Sequence, residues 1–218
     1  MAETITIPVA IFEVTIDYER PALSIWSERR ALIVQQIFEA LMPWNPDVDD
    51  IEIRQTGKLS EQGVNFKLPV KLASFFFGPS FCRFTQDSMT WESAGETLEV
   101  VSAVLKVLED TGIRLAAKKA GLSLHLQPRK VRFIDLLRPF VPPQLAEIDN
   151  RPIGAMASVV KWDGRKVTLD GSGVMANAIF LRLDRDFDAA ASFENITRQL
   201  REDEQALFDV LGVEEERG

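Results

Sequence analysis

The sequence has very few of the side chains that most enzymes use for acid–base or nucleophilic chemistry. Its 218 residues include one histidine, one cysteine and one tyrosine. General acid–base catalysis and covalent catalysis depend most often on such groups. Their scarcity favours a non-catalytic binding or assembly module. An enzyme or small-ligand-binding protein that works through carboxylates, lysines or arginines remains the alternative.

Cysteine and long apolar runs are also scarce, and both bear on location. A single cysteine, Cys82, cannot form an internal disulfide, so the chain lacks the signature of an oxidised secreted scaffold. The first nine residues contain the acidic Glu3 and then apolar residues at every second position. A signal peptide instead has a basic start and a continuous apolar run. No stretch approaches the roughly 18 uninterrupted apolar residues of a membrane span. These features predict a cytoplasmic protein with no membrane partner.

Net positive charge is absent, because the formal net charge is -8. Such a balance argues against nucleic-acid binding over the whole surface. The charge is uneven, however: residues 114–138 carry seven basic residues and one acidic, and residues 184–217 carry eleven acidic and four basic. Either the acidic segment covers the basic one or the basic segment faces a partner. The less favoured nucleic-acid hypothesis assigns contacts to Lys118, Lys119, Arg129, Lys130 and Arg132.

The hydrophobic pattern predicts an α+β fold with one or more mainly antiparallel sheets and three main helices packed on one face. We expect one compact domain over residues 1–218, with 1–78 and 79–218 as the alternative subdivision. A strand-helix-strand theme occurs at 4–72 and 81–127, and the two portions are candidates for one continuous sheet. Predicted helices span 24–42, about 93–111 and 192–211, with one helical turn at 133–137. Predicted strands span 4–18, 51–56, 62–72, 81–91, 113–127, 159–162, 166–169 and 173–183.

Local signals refine several boundaries. Ser24 or Ser27 is expected to cap the first helix, and Ser93 with Glu96 has the spacing of a capping box. The Asp163-Gly164 pair suits a type I′ hairpin turn. The parity of the apolar residues in 4–18 switches near residue 11, which indicates a bulge or burial of both faces. Residues 214–218 are expected to fray.

An aromatic run and a proline-rich stretch are the predicted contact surfaces. Five phenylalanines lie between residues 75 and 84, and Gly78-Pro79 interrupts them. Such a run forms either the core, since phenylalanine is usually buried, or an apolar wall for a partner. Proline-rich segments lose little entropy on docking. We therefore predict contacts with a protein, including a second copy of this chain, through Phe75, Phe76, Phe77, Phe81, Pro142 and Pro143.

The lone histidine and the lone cysteine are the residues of the catalytic hypothesis. His125 lies in a predicted strand, and a catalytic arrangement would pair it with Cys82 as base and nucleophile. The structural alternative is a solvent-facing or hydrogen-bonded strand histidine and a buried cysteine. The structural alternative is favoured, because no motif places the two residues together.

Three alternating carboxylates are the candidate metal ligands. Asp184, Asp186 and Asp188 have the spacing of the first half of a calcium loop. The match then fails, because Ala189 and Asn195 stand where the loop needs glycine and glutamate. A solvated strand end explains the pattern better. No metal and no cofactor are predicted.

Overall fold

A ten-stranded sheet dominates the fold of this computed structural model. The structure describes residues 2–54, 58, 62–140, 157–162 and 164–216. Its strands are β1 (Glu3–Tyr18), β2 (Ile51–Arg54), β3 (Gly63–Leu68), β4 (Ala73–Phe77), β5 (Phe81–Asp87), β6 (Leu115–Pro128), β7 (Ala157–Trp162), β8 (Arg165–Gly171), β9 (Ile179–Asp188) and β10 (Val213–Glu215). The α-helices are α1 (Leu23–Ala40), α2 (Trp91–Asp110), α3 (Phe133–Leu137) and α4 (Phe193–Leu211), and short 3₁₀ helices lie at Met42–Trp44, Val48–Asp50, Pro69–Lys71 and Arg138–Phe140.

The strand order is β2-β3-β4-β5-β1-β6-β9-β8-β7, and β10 adds to β1. Neighbours within the meanders pair antiparallel, whereas β10 pairs with β1 in parallel. The predicted α+β class with a mainly antiparallel sheet is therefore confirmed. The predicted packing of three main helices on one face is not confirmed, and the sheet is the larger part of the fold.

The strand-helix-strand theme does occur twice, but at different places from those predicted. The first run is β1, α1, β2 to β5 and α2, and the second is β6, α3, β7 to β9 and α4. Each run starts with a long strand, and these two strands are neighbours in the middle of the order. The sequence places the second run at 81–127, because β5 followed by α2 also has the pattern of a strand followed by a helix.

Residue contacts divide the chain into two compact units. One consists of Met1–Ile11, Gly121–Arg185 and Arg198–Gly218, and the other of Phe12–Ala120 and Asp186–Thr197. The long strands β1, β6 and β9 contribute residues to both units. The single domain and its subdivision at residues 78 and 79 both stay predictions.

The predicted change of parity along β1 is visible in its burial. Ile5 is buried at an odd position, whereas Phe12, Val14 and Ile16 are buried at even positions. Pro8 between them is exposed. Because side chains alternate along a strand, the buried face changes within this stretch.

Helix boundaries follow caps that differ from the predicted ones. Neither Ser24 nor Ser27 caps α1, because Ala22 is the N-cap and no side chain bonds there. The capping box of α2 is formed by Thr90 and Ser93, so the helix starts before the expected Ser93 and Glu96 pair. Ser93 is thus the third helical residue, and its hydroxyl accepts from the backbone N–H of Thr90 at 3.0 Å.

The predicted strand over 173–183 starts too early and ends too early, since β9 spans Ile179–Asp188. A loop precedes it, and Asn177 holds that loop against α3. The Asn177 side chain accepts from the backbone N–H of Phe133 at 2.9 Å and donates to the carbonyl of Val131 at 3.2 Å. A positive φ of 50° at Asn177 turns the chain into the strand.

Residues 214–216 form structure where fraying was expected, and residues 217–218 lie outside the described residues. Gly212 ends α4 with a φ of +66°, and Val213 to Glu215 then pair with Glu3 to Ile5. Two further backbone bonds close the pair, from Glu3 to the carbonyl of Gly212 and from Glu216 to that of Ile5, both at 2.9 Å. The partner strand is distant in sequence, so no local signal announces it.

No helix among the described residues has the length and apolar character needed to cross a membrane.

A nearly buried ion pair joins Asp203, in the part of α4 that belongs to the first unit, to strands β8 and β9 of the same unit. Asp203 accepts from Arg185 on β9 at 2.6 Å and lies 3.5 Å from Arg165 on β8. The side chains of Asp203 and Arg185 are only 14% and 16% exposed. Removing one partner of such a pair leaves the other charge poorly solvated.

We therefore expect Asp203→Asn to lower the free energy of unfolding by about 2–4 kcal/mol. The neighbouring Glu202→Gln is the matched control, because its pair with Arg198 is 62% and 61% exposed and contributes only about 0.5 kcal/mol. Urea unfolding followed by circular dichroism compares the two variants. Equal losses would contradict the structural importance of Asp203.

Candidate functional site

The outer face of strands β2 to β5 carries a pocket lined by arginine and phenylalanine. Alternation along each strand sends one set of side chains inward and the other outward. Phe66, Phe75, Phe77 and Phe84 are core residues on the inner face. Helix α1 covers that inner face, since the Trp26 and Phe77 rings lie 5.2 Å apart.

We call the outer cavity the sheet pocket, and its volume is about 340 Å³. The strand register explains its composition, since Asn65 lies opposite Phe76 and Phe76 lies opposite Arg83. It therefore gathers residues that are far apart in the sequence. The sheet pocket is lined by Arg54, Asn65, Ser74, Phe76, Phe81, Arg83 and Thr85.

The two phenylalanines of the sheet pocket form a half-exposed aromatic wall. The rings of Phe76 and Phe81 have centroids 5.3 Å apart, and the Arg83 guanidinium lies 5.4 Å from the Phe81 ring. Two glycines make room for Phe76, because a Cβ atom at Gly63 would lie 2.1 Å from its ring and one at Gly78 would lie 2.8 Å away. Any larger residue at position 63 must displace this ring.

Polar contacts orient the charged side chains around the sheet pocket. Arg83 donates from Nε to the Thr15 hydroxyl at 3.2 Å and lies 3.7 Å from the Glu13 carboxylate. Glu52 pairs with Lys67, and this hydrogen bond holds the pKa of the Glu52 carboxyl below its usual range. Asn65, only 6% exposed, contributes a buried amide side chain to the pocket lining.

The predicted aromatic contact residues therefore divide into two groups. Phe76 and Phe81 line the sheet pocket. Phe75 and Phe77 are buried in the core, because they occupy the inward positions of β4, and they cannot meet a partner. The other predicted contacts, Pro142 and Pro143, lie outside the described residues. Arg54 and Arg83 were not among the predicted contacts. Arg83 lies next to the aromatic run in the sequence, whereas Arg54 reaches the pocket only through strand pairing and has no local signal.

A larger cleft lies in the same unit, between α2 and the segment that leads into α4. Its volume is about 840 Å³. Lys118 on β6 reaches its base, where the ammonium donates to the carbonyls of Ala189 at 2.5 Å and Ala191 at 2.7 Å. Its ammonium also lies 5.2 Å from the Phe193 ring. Burial lowers the pKa of Lys118, and the charge of Glu109 partly opposes that shift.

The other members of the predicted basic segment also have local partners. Lys119 pairs with Asp17 at 2.8 Å, and Arg129 pairs with Glu216. Arg132 pairs with Asp135 at 3.1 Å. The backbone of Lys130 donates to the Glu3 carboxylate at 2.6 Å, and its side chain is exposed. These contacts reduce the positive charge that this segment presents to a nucleic acid.

The catalytic candidates Cys82 and His125 each lie beside a different hydroxyl group. Cys82 is buried beside the Tyr18 hydroxyl, and burial raises the pKa of its thiol to about 12. His125 Nδ1 lies 2.9 Å from the Ser172 hydroxyl, and its ring packs against Phe180 at 5.3 Å. A protonated thiol is a poor nucleophile.

The contacts of Ser172 indicate the direction of its hydrogen bond with His125. The Ser172 oxygen accepts from the backbone N–H groups of Val174 at 3.3 Å and Met175 at 3.0 Å, which occupies both of its lone pairs. This arrangement favours a Ser172 hydroxyl that donates to Nδ1 of His125. The sequence has no local signal for this contact, since the two residues are 47 apart.

The candidate metal ligands alternate along β9, as their spacing predicts. Asp184 bonds Arg182 at 2.8 Å, and Asp186 and Asp188 are exposed. In the part of the chain that the structure describes, no three histidine, cysteine or acidic side chains are gathered in a way that could hold a metal ion.

Comparison with known proteins gives no family. No protein-family model and no curated protein matches the chain. The PH1819 protein from Pyrococcus horikoshii OT3 is 11% identical with a TM-score of 0.21, over 96% of this chain and 80% of that one. A conserved hypothetical protein from Pyrococcus furiosus is 10% identical with a TM-score of 0.20, over 93% and 91%. Similarities this weak carry no argument about fold or function.

The space over Gly63 gives a test of the aromatic wall. Gly63→Ala would place a methyl group 2.1 Å from the Phe76 ring and 2.9 Å from the Phe77 carbonyl oxygen. We expect a loss of about 1–3 kcal/mol in the free energy of unfolding, because the ring must move. Gly95→Ala on α2 is the control, since nothing lies within 4 Å of its added methyl group. A loss of stability in both variants would contradict the crowding argument.

Burial of Cys82 gives a second test. With a thiol pKa of about 12 and no exposed surface, native Cys82 should not react with Ellman's reagent near pH 8. The unfolded chain in concentrated guanidinium chloride should react fully. Tyr18→Phe should leave the native thiol unreactive, because burial is the larger cause of the shift. Full labelling of the native protein would show that the thiol is accessible.

Proposed function

We propose that the protein is a binding module and that its ligand, a flat ring bearing an anionic group, occupies the sheet pocket. The observation that carries this proposal is the arrangement of Arg54 and Arg83 around the half-exposed rings of Phe76 and Phe81. Guanidinium groups recognise phosphates and carboxylates through paired hydrogen bonds. Aromatic rings beside them offer a stacking surface for a planar group.

The size and charge of the sheet pocket support a small ligand. Its volume of about 340 Å³ lies at the lower end of the range for small-molecule sites. Thr15 and Glu13 hold Arg83 in place, so less ordering entropy is lost on binding. Lys67 occupies the nearby carboxylate of Glu52, which leaves that acid less able to compete for Arg54.

Two further features belong to this proposal. The scarcity of histidine, cysteine and tyrosine supports binding in preference to catalysis. The single, buried cysteine fits a cytoplasmic location. We propose protein contacts, with a second copy of the chain as one partner, in addition to the small ligand.

Isothermal titration calorimetry with adenosine monophosphate tests the proposal. We expect adenosine and inorganic phosphate, each of which supplies one half of the chemistry, to bind at least about tenfold more weakly. Arg54→Ala and Arg83→Ala should each weaken binding of the nucleotide by about tenfold, because each removes a charged hydrogen-bond donor.

Arg29→Ala is the matched control, since it removes an exposed arginine from α1 on the helix-covered side and changes the net charge equally. It should leave the affinity unchanged. If adenosine monophosphate, phenyl phosphate and benzoate all fail to bind, the proposed ligand class is wrong. If all three arginine variants behave alike, binding is non-specific.

A further inference from the structure

We propose that the cleft between α2 and the start of α4 binds a basic segment of a partner protein. This site is separate from the sheet pocket, so the inference does not rest on the proposed function. The cleft follows one stripe of α2, from Gly95 to Asp110, which is about 22 Å long. That length is suited to a peptide segment, whereas a single small ion would occupy only part of it.

The base of the cleft combines apolar side chains with the Lys118 ammonium, which two backbone carbonyls hold. Leu98 and Leu105 on α2 and Leu115 on β6 contribute aliphatic surface, and Phe193 contributes an aromatic ring. Small residues stand between them, namely Gly95 and Ser102 on one wall and Ala190 and Ala191 on the other. Small residues let the backbone of a guest approach closely, and the apolar side chains offer surface to bury.

The rim of the cleft is acidic. Four exposed carboxylates line it, and one of them, Glu109, interacts through its charge with the Lys118 ammonium. Lys106 is the only exposed ammonium in the lining, because the Lys118 ammonium points to two backbone carbonyls. The lining therefore carries four negative charges against two positive ones. The four carboxylates belong to Glu99, Glu109, Asp110 and Glu194.

The spacing of these carboxylates indicates the spacing of basic residues in a peptide that would fit the cleft. Glu99 and Glu109 are ten residues apart on one helix, so they stand about 15 Å apart along it. An extended peptide covers that distance in about four to five residues. A segment with arginines or lysines at this spacing and leucine-like side chains between them would meet both carboxylates and the apolar side chains of the base. Complementary charge also accelerates the encounter and makes it sensitive to salt.

The test is fluorescence anisotropy with a labelled peptide that alternates leucine and arginine. We expect it to bind the whole protein at low salt, to weaken as salt rises, and to lose affinity at least about tenfold in the double variant Glu99→Gln with Glu109→Gln. A peptide with glutamates in place of the arginines should not bind. The control is Glu28→Gln with Glu92→Gln, which makes the same charge change at exposed sites outside the cleft lining.

A second variant separates the cleft from general attraction between opposite charges. Gly95→Leu adds a side chain to open space and keeps every carboxylate, so it should weaken the arginine peptide about fivefold or more. Equal weakening in the control and cleft double variants, or wild-type affinity in Gly95→Leu, would overturn the proposal. So would light scattering that shows a dimer abolished by Glu99→Gln with Glu109→Gln while the peptide fails to bind, since the occupant would then be a second copy.

Discussion

The two-residue alternation of side chains along β3, β4 and β5 is the constraint on which the candidate site depends. The same three strands send Phe66, Phe75 and Phe84 into the core and Asn65, Phe76 and Arg83 to the opposite face. Core burial therefore specifies the register, and the register brings the pocket residues together. A slip of one residue would exchange the two faces, so the pocket cannot be rearranged without loss of the core.

Glycine at two positions makes this arrangement possible on the outer face. The Phe76 ring occupies space that a Cβ atom at Gly63 or Gly78 would fill. The ring is thus supported from both sides, although it is only half-buried. Its position beside Arg83 and Phe81 follows from sterics as much as from attraction between the groups, which gives the pocket a defined shape before any ligand arrives.

The elements that the sequence predicted well are those with local signals. Helices α2 and α4 have periodic apolar faces and glycines after their last turns, and β7 and β8 flank the Asp163-Gly164 pair. The errors involve partners that are distant in sequence. The pairing of β10 with β1 and the loop that Asn177 holds against α3 depend on contacts with no local signature. The start of α2 was misplaced because two serine or threonine capping patterns overlap there.

The candidate sites also divide into residues with a local sequence signal and residues that only distant contacts bring together. Phe76 and Phe81 could be named from the aromatic run, but alternation alone could not say which phenylalanines face outward. Arg54 and Asn65 join them only through strand pairing. The acidic cleft was not foreseen, because its two walls come from residues about ninety positions apart, Gly95 to Asp110 and Ala190 to Thr197. The basic segment of residues 114–138, by contrast, was visible in the sequence. In the fold its charges are largely matched by acidic partners such as Asp17 and Glu216.

The parallel pairing of β10 with β1 also has a mechanical consequence. Because both strands run in the same direction, a stretching force applied at Glu3 and Glu216 acts along the strand axis. The backbone hydrogen bonds from Glu3 to Gly212 and from Glu216 to Ile5 would then be loaded together in shear. In an antiparallel pair, the hydrogen bonds would instead break one at a time. The pairing of β10 with β1 therefore resists pulling more strongly than its length of three residues alone would suggest.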